Sequence, residues 1–165
     1  MACSNTATIN YGNSVYNFSL VKTGTQWCYT VVVTGAAGPT APGLSHFILE
    51  LCDRISTNPD SDFVISNITV SINGVSQTPD YEIKLHTIDD GTGRQVYGIK
   101  FDNGVDKGQI GVFCFNITPD VQPVAGDLVV KGGNNPELLT PDAICTPSCT
   151  PPEPPTPGRG LCCNA

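Results

Sequence analysis

Residues 26–34, QWCYTVVVT, alternate so regularly that an extended strand is the one regular structure that suits them. Trp27, Tyr29, Val31 and Val33 fall on one side, with Cys28, Thr30, Val32 and Thr34 on the other. A period of two in β-branched and aromatic residues marks a strand half-buried against a core. The same alternation recurs in residues 15–21, 44–52, 63–72, 81–85, 95–101, 109–117 and 127–131, with a strand favoured over a short helix at 44–52. Turn chemistry separates these runs. Residues 35–43 are too rich in Gly and Pro for regular structure, and Asn73-Gly74 is the strongest two-residue hairpin signal in the chain. Roughly seven to nine short strands without a helical pattern predict an all-β fold, an antiparallel β-sandwich or jelly roll.

The strand-bearing body spans residues 14–131. Residues 1–13 are small and polar and read as an N-terminal leader that a partner would order. Residues 132–165 read as a linker into a Pro- and Cys-rich C-terminal arm ending CTPSCTPPEPPTPGRGLCCNA. Proline removes amide donors and biases the backbone toward polyproline II, so this arm is expected to be extended.

Eight cysteines in 165 residues are many for a reducing cytosol. No CxxC pair occurs, and His46 and His86 sit outside zinc-ligand spacing, so disulfides are the expected chemistry and no metal or other cofactor is implied. The cysteines sort by environment: Cys28, Cys52 and Cys114 lie on the body, while Cys3, Cys145, Cys149, Cys162 and Cys163 lie on the ends. Three body cysteines cannot all pair among themselves, so one stays free or meets a terminal cysteine. Adjacent Cys162 and Cys163 rarely bond to each other. An arm of about twenty residues reaches at most roughly 70 Å, enough to cross onto a neighbouring copy. The five terminal cysteines are therefore candidate inter-subunit cross-links, the other arrangement being an arm folded back to staple one domain.

Net charge is −7 with only eight Lys and Arg, which argues against nucleic acid as a partner. No stretch is apolar and long enough to insert in a membrane, and the first residues lack the basic and apolar segments of a secretory signal. An oxidising location reached without a classical signal peptide is the expectation.

Other chemistry is weakly signalled. Ser45, His46 and Glu50 suggest a hydrolytic triad only superficially, because Ser45 and His46 point to opposite faces of a strand and no nucleophile elbow is present. Asp60 and Asp62, and Asp89 and Asp90, lie in oxygen-rich loops without calcium-loop spacing, so they read as solvated turns. Trp27 and Tyr29 could stack on a sugar ring, but strand aromatics are more often core. No catalytic, cofactor or metal residue is assigned, and the chain is not expected to be an enzyme.

Three segments together, Leu44 through Cys52 (LSHFILELC), Gly98 through Asp102 (GIKFD) and Phe113 through Ile117 (FCFNI), resemble a β-sandwich module of bacterial cell-surface proteins. The resemblance spans roughly residues 26–131 and implies a non-enzymatic extracellular building block. A small β-sandwich with cysteine-bearing ends and no signal sequence is also similar in architecture to the Ena-type subunits of bacterial endospore appendages. That likeness implies assembly with copies of itself into a disulfide-linked filament or layer on a cell or spore surface. The rival expectation is a monomeric adhesin or carbohydrate-binding domain on a Pro-rich tether.

Overall fold

The computed structural model describes residues 2–38 and 40–153. They build twelve strands: β1 (Thr6–Tyr11), β2 (Ser14–Thr23), β3 (Gln26–Gly35), β4 (His46–Glu50), β5 (Ile55–Ser56), β6 (Phe63–Ile72), β7 (Val75–Gln77), β8 (Tyr81–Thr87), β9 (Gln95–Phe101), β10 (Ile110–Thr118), β11 (Pro123–Lys131) and β12 (Leu138–Pro147). One sheet runs β1-β2-β3-β10-β6-β5, with β7 also hydrogen-bonded to β6. The other runs β12-β11-β4-β9-β8. Every pairing is antiparallel except β5 with β6. The two sheets pack face to face as a β-sandwich. Among the described residues there is no helix, and so none able to cross a membrane.

Local chemistry fixes the register. β2 and β3 pair from Ser14 opposite Gly35 to Thr23 opposite Gln26, closing through Gly24 at φ +59°. β6 and β7 close through Asn73 (φ 50°) and Gly74 (φ 78°), the two positive dihedrals that a tight hairpin turn needs. Once β3 is paired on both sides, its alternation sends Trp27, Tyr29, Val31 and Val33 into the core. They meet Phe47, Leu49, Ile99, Phe101, Leu128 and Val130 from the facing sheet. Phe113 of β10 packs edge-on against Phe47, ring centroids 4.8 Å apart, across the middle of the sandwich.

The LSHFILELC and GIKFD segments are spatial neighbours. β4 and β9 pair Phe47 with Phe101, Ile48 with Lys100, Leu49 with Ile99 and Glu50 with Gly98. Gly98 allows this closeness: a Cβ there would sit 2.2 Å from the Leu49 carbonyl oxygen.

Two expected boundaries are corrected. Residues 6–11, assigned to the leader, form β1, whose Ile9 and Tyr11 are buried in the core. A Gly12-Asn13 turn with Gly12 at φ +59° returns the chain into β2. The segment expected to be linker and arm supplies β12, paired along β11 and burying Ile144 and Cys145. Pro141 and Pro147 fit within this strand because β12 is an edge, where one side of the backbone needs no amide donor. Residues 14–131 are therefore only the middle of the sandwich, and β11 begins at Pro123, earlier than its alternation suggests.

Candidate functional site

The cysteines are the first chemistry to place. Cys28 and Cys114 stand directly opposite each other on β3 and β10, on the outer face of the first sheet, and form a disulfide with Cα atoms 4.1 Å apart. Cys3 bonds to Cys145, tying the stretch before β1 to β12. Beside it the Cys145 N–H donates to the Ser4 carbonyl at 2.7 Å, and the Tyr29 hydroxyl donates to the Cys145 carbonyl at 2.7 Å. Tyr29 is fully enclosed, and burial pushes its phenol pKa well above the usual value of 10. Cys52, just past β4, bonds to Cys149, just past β12.

Backbone bonds hold the chain beyond β12 against the body as well. The Ser148 N–H donates to the Gln122 carbonyl at 3.1 Å, and the Gln122 N–H donates to the Thr150 carbonyl at 2.8 Å. Cys3, Cys145 and Cys149, expected to link separate subunits, are thus paired inside one chain. The reason is that the stretch before β1 runs beside β12, which brings Cys3 to Cys145, while the end of β12 passes the end of β4, which brings Cys149 to Cys52. Cys162 and Cys163 lie outside the described residues. Three in-chain disulfides fit an oxidising, non-cytoplasmic environment and a protein stabilised by its cross-links.

A second feature lies on the outer face of the other sheet. His46, Lys84, His86, Lys100, Lys131 and Glu137 line a groove of about 410 Å³. Below it Ile48, Ile88, Val96 and Val129 form a small apolar cluster separate from the main core, with Leu139 packed against it. Glu137 organises the groove. One carboxylate oxygen accepts from His46 Nε2 at 2.5 Å and the other accepts the Asp89 N–H at 2.6 Å. The Glu137 N–H returns a bond to the Asp89 carbonyl at 3.0 Å. The other imidazole nitrogen, Nδ1, stands 3.9 Å from Asp102, which lies 3.5 Å from Lys100 Nζ. Glu137 is therefore a crosspiece that ties His46 of β4 and Asp89 of the β8–β9 loop to the segment leading into β12. His86 is buried and donates to the Gly98 carbonyl at 3.2 Å; desolvation lowers its pKa below the ordinary 6.5.

Ser45, His46 and Glu50 are not brought together. Ser45 is exposed, and Glu50 accepts the Asp127 N–H at 2.7 Å. Nothing in the residue pattern singles out Glu137, because it sits in a Gly-Asn-Pro stretch that reads as linker. In the acidic loops Asp90 and Asp62 spend their carboxylates locally. Asp90 accepts from the Thr92 hydroxyl and from Arg94, and these bonds lower its pKa to about 2. Asp62 pairs with Arg54 at 3.0 Å. No cluster of three or more metal-ligating side chains occurs among the described residues. Trp27 and Tyr29 are in the core, and Tyr81 and Tyr97 are half-buried, so no aromatic side chain is fully exposed among the described residues.

Comparison with known proteins gave no match to a family model, to a curated protein or to a solved structure.

Proposed function

We propose that this chain is a structural subunit that assembles with copies of itself into a disulfide-stabilised filament or layer on the outside of a cell or spore. The supporting observation is that the body uses up its own thiols. Cys3, Cys28, Cys52, Cys114, Cys145 and Cys149 are consumed in three in-chain pairs, so no described thiol is left to receive Cys162 or Cys163. Adjacent cysteines seldom bond to each other, so a second copy is the better source of partners. The Cys52–Cys149 bond anchors the start of the arm on the rigid body, and from Cys149 an extended chain brings Cys162 at most about 45 Å away. That reach suits a covalent lock between neighbours. A sugar-stacking adhesin receives no comparable support, because the aromatic side chains are core or half-buried.

The test is to oxidise an equal mixture of isotopically light and heavy full-length protein and map its disulfides. The expected result is a ladder on non-reducing gels that collapses on reduction. Peptides carrying Cys162 or Cys163 should appear as light–heavy pairs, while the three body disulfides stay within one copy. A single monomer band that reductant does not change, with Cys162 bonded to Cys163, would overturn the proposal.

A further inference from the structure

The edges of the two sheets are unequally protected. β12 carries Pro141, Pro147 and a register shift opposite Gly126–Leu128, and β5 and β7 are two and three residues long. The stretch leading into β1 is fastened to β12 by the Cys3–Cys145 bond. β8 has none of these devices. It is seven residues long, pairs with β9 without a break from Tyr81 opposite Phe101 to Thr87 opposite Gln95, and contains no proline. Such an edge is a template for another strand.

Its hydrogen-bonding phase can be read from the bonds that flank it. The Asp102 N–H donates to the Asp80 carbonyl, and the Ile88 N–H donates to the Arg94 carbonyl. Even-numbered residues of β8 therefore turn their backbone groups to β9. Tyr81, Ile83, Leu85 and Thr87 turn theirs to the open edge. The side chains of Tyr81 and Ile83 pack at the margin of the core, and Leu85 remains 53% exposed. On the other face Glu82 and Lys84 stand half-exposed, two residues apart.

We infer that β8 is the docking edge for the β8 strand of a second copy, the two strands running antiparallel about a two-fold axis at Ile83. The sequence Tyr81-Glu82-Ile83-Lys84-Leu85 is its own complement in that register. Ile83 faces Ile83, Tyr81 faces Leu85, and Glu82 faces Lys84 twice. The open backbone groups of Tyr81, Ile83 and Leu85 then supply about six inter-chain hydrogen bonds. The two five-stranded sheets become one continuous sheet. Centring the pair one residue later, on Lys84, would set Lys84 against Lys84, so charge selects the register. A two-fold contact closes on itself and needs a second contact to propagate. The inference thus deepens the assembly reading, on which it rests, by giving it a non-covalent interface distinct from the arm.

The experiment uses full-length oxidised protein with Cys162→Ser and Cys163→Ser, which removes the arm thiols and keeps the three body disulfides. Sedimentation equilibrium should show a concentration-dependent dimer. Glu82→Lys alone, or Lys84→Glu alone, puts like charges opposite each other and should weaken dimerisation roughly tenfold. The doubly exchanged variant should restore it, and mixing the two single variants should yield a heterodimer. Neither recovery follows from mere loss of stability. A monomer at all concentrations, or dimerisation indifferent to these exchanges, would overturn the inference. Disulfide-linked ladders from the unsubstituted chain would still form in that case, so failure of this interface is distinguishable from failure of the assembly reading.

Discussion

Replacing Gly98 with alanine would put a methyl group where the structure has no room for one. The new Cβ would lie 2.2 Å from the Leu49 carbonyl oxygen, 2.9 Å from its carbonyl carbon and 3.2 Å from the Glu50 Cα. These are backbone atoms of β4, a central strand of its sheet, so no rotamer change relieves the clash. A tolerable contact needs 3.0 Å, and β4 and β9 must separate accordingly. Overpacking of this kind costs about 1–3 kcal/mol. The Leu51 N–H bond to the Tyr97 carbonyl, now 2.9 Å, lengthens with the same movement and adds about 1 kcal/mol. A total of about 2–4 kcal/mol lowers the Tm of a chain this size by about 5–15 °C. The comparison is Gly24→Ala, at φ +59° with open space around it, which should cost about 1 kcal/mol through backbone strain alone. Thermal and urea unfolding of the oxidised protein, followed by circular dichroism, would measure both. If Gly98→Ala unfolds within 2 °C of the parent or no earlier than Gly24→Ala, the close approach of β4 and β9 is not what requires glycine there.

Two further predictions follow from the staples and the buried titratable groups. Cys52→Ser together with Cys149→Ser should lower unfolding free energy by about 2–5 kcal/mol, and limited proteolysis should then cut near residues 148–153 faster than in the oxidised parent. Stability should fall at both ends of the pH scale. His86 has a lowered folded-state pKa, so its contribution is present above about pH 6.5 and is lost as pH falls further, a loss that His86→Gln would flatten. Tyr16, pushed by burial to about 12, and Tyr29, raised well above the ordinary value by complete burial, cost stability as they ionise. Their contribution is present below about pH 10 and is lost as pH rises, and Tyr29→Phe should reduce that slope in urea titrations.

The alternation in residues 26–34, the Asn73-Gly74 turn and the absence of helical patterning were enough to specify an all-β chain, because side-chain period and turn chemistry are local properties. They also placed Trp27, Tyr29, Phe47 and Leu49 on the buried side, since a strand has only two faces. Edges are not local. Residues 6–11 have only a modest pattern, and residues 138–147 contain prolines that argue against an interior strand, yet both pair once β2 and β11 offer a partner. The hydrogen bond between His46 and Glu137 is decided the same way, by a contact between residues 91 positions apart.

The chain by itself determined the kind of secondary structure and the oxidising chemistry of its cysteines, both consequences of residue type and short-range order. Tertiary structure alone decided which sulfurs meet. Disulfide pairing depends on which segments come within about 6 Å between Cα atoms, a distance set by sheet order rather than by position along the polymer.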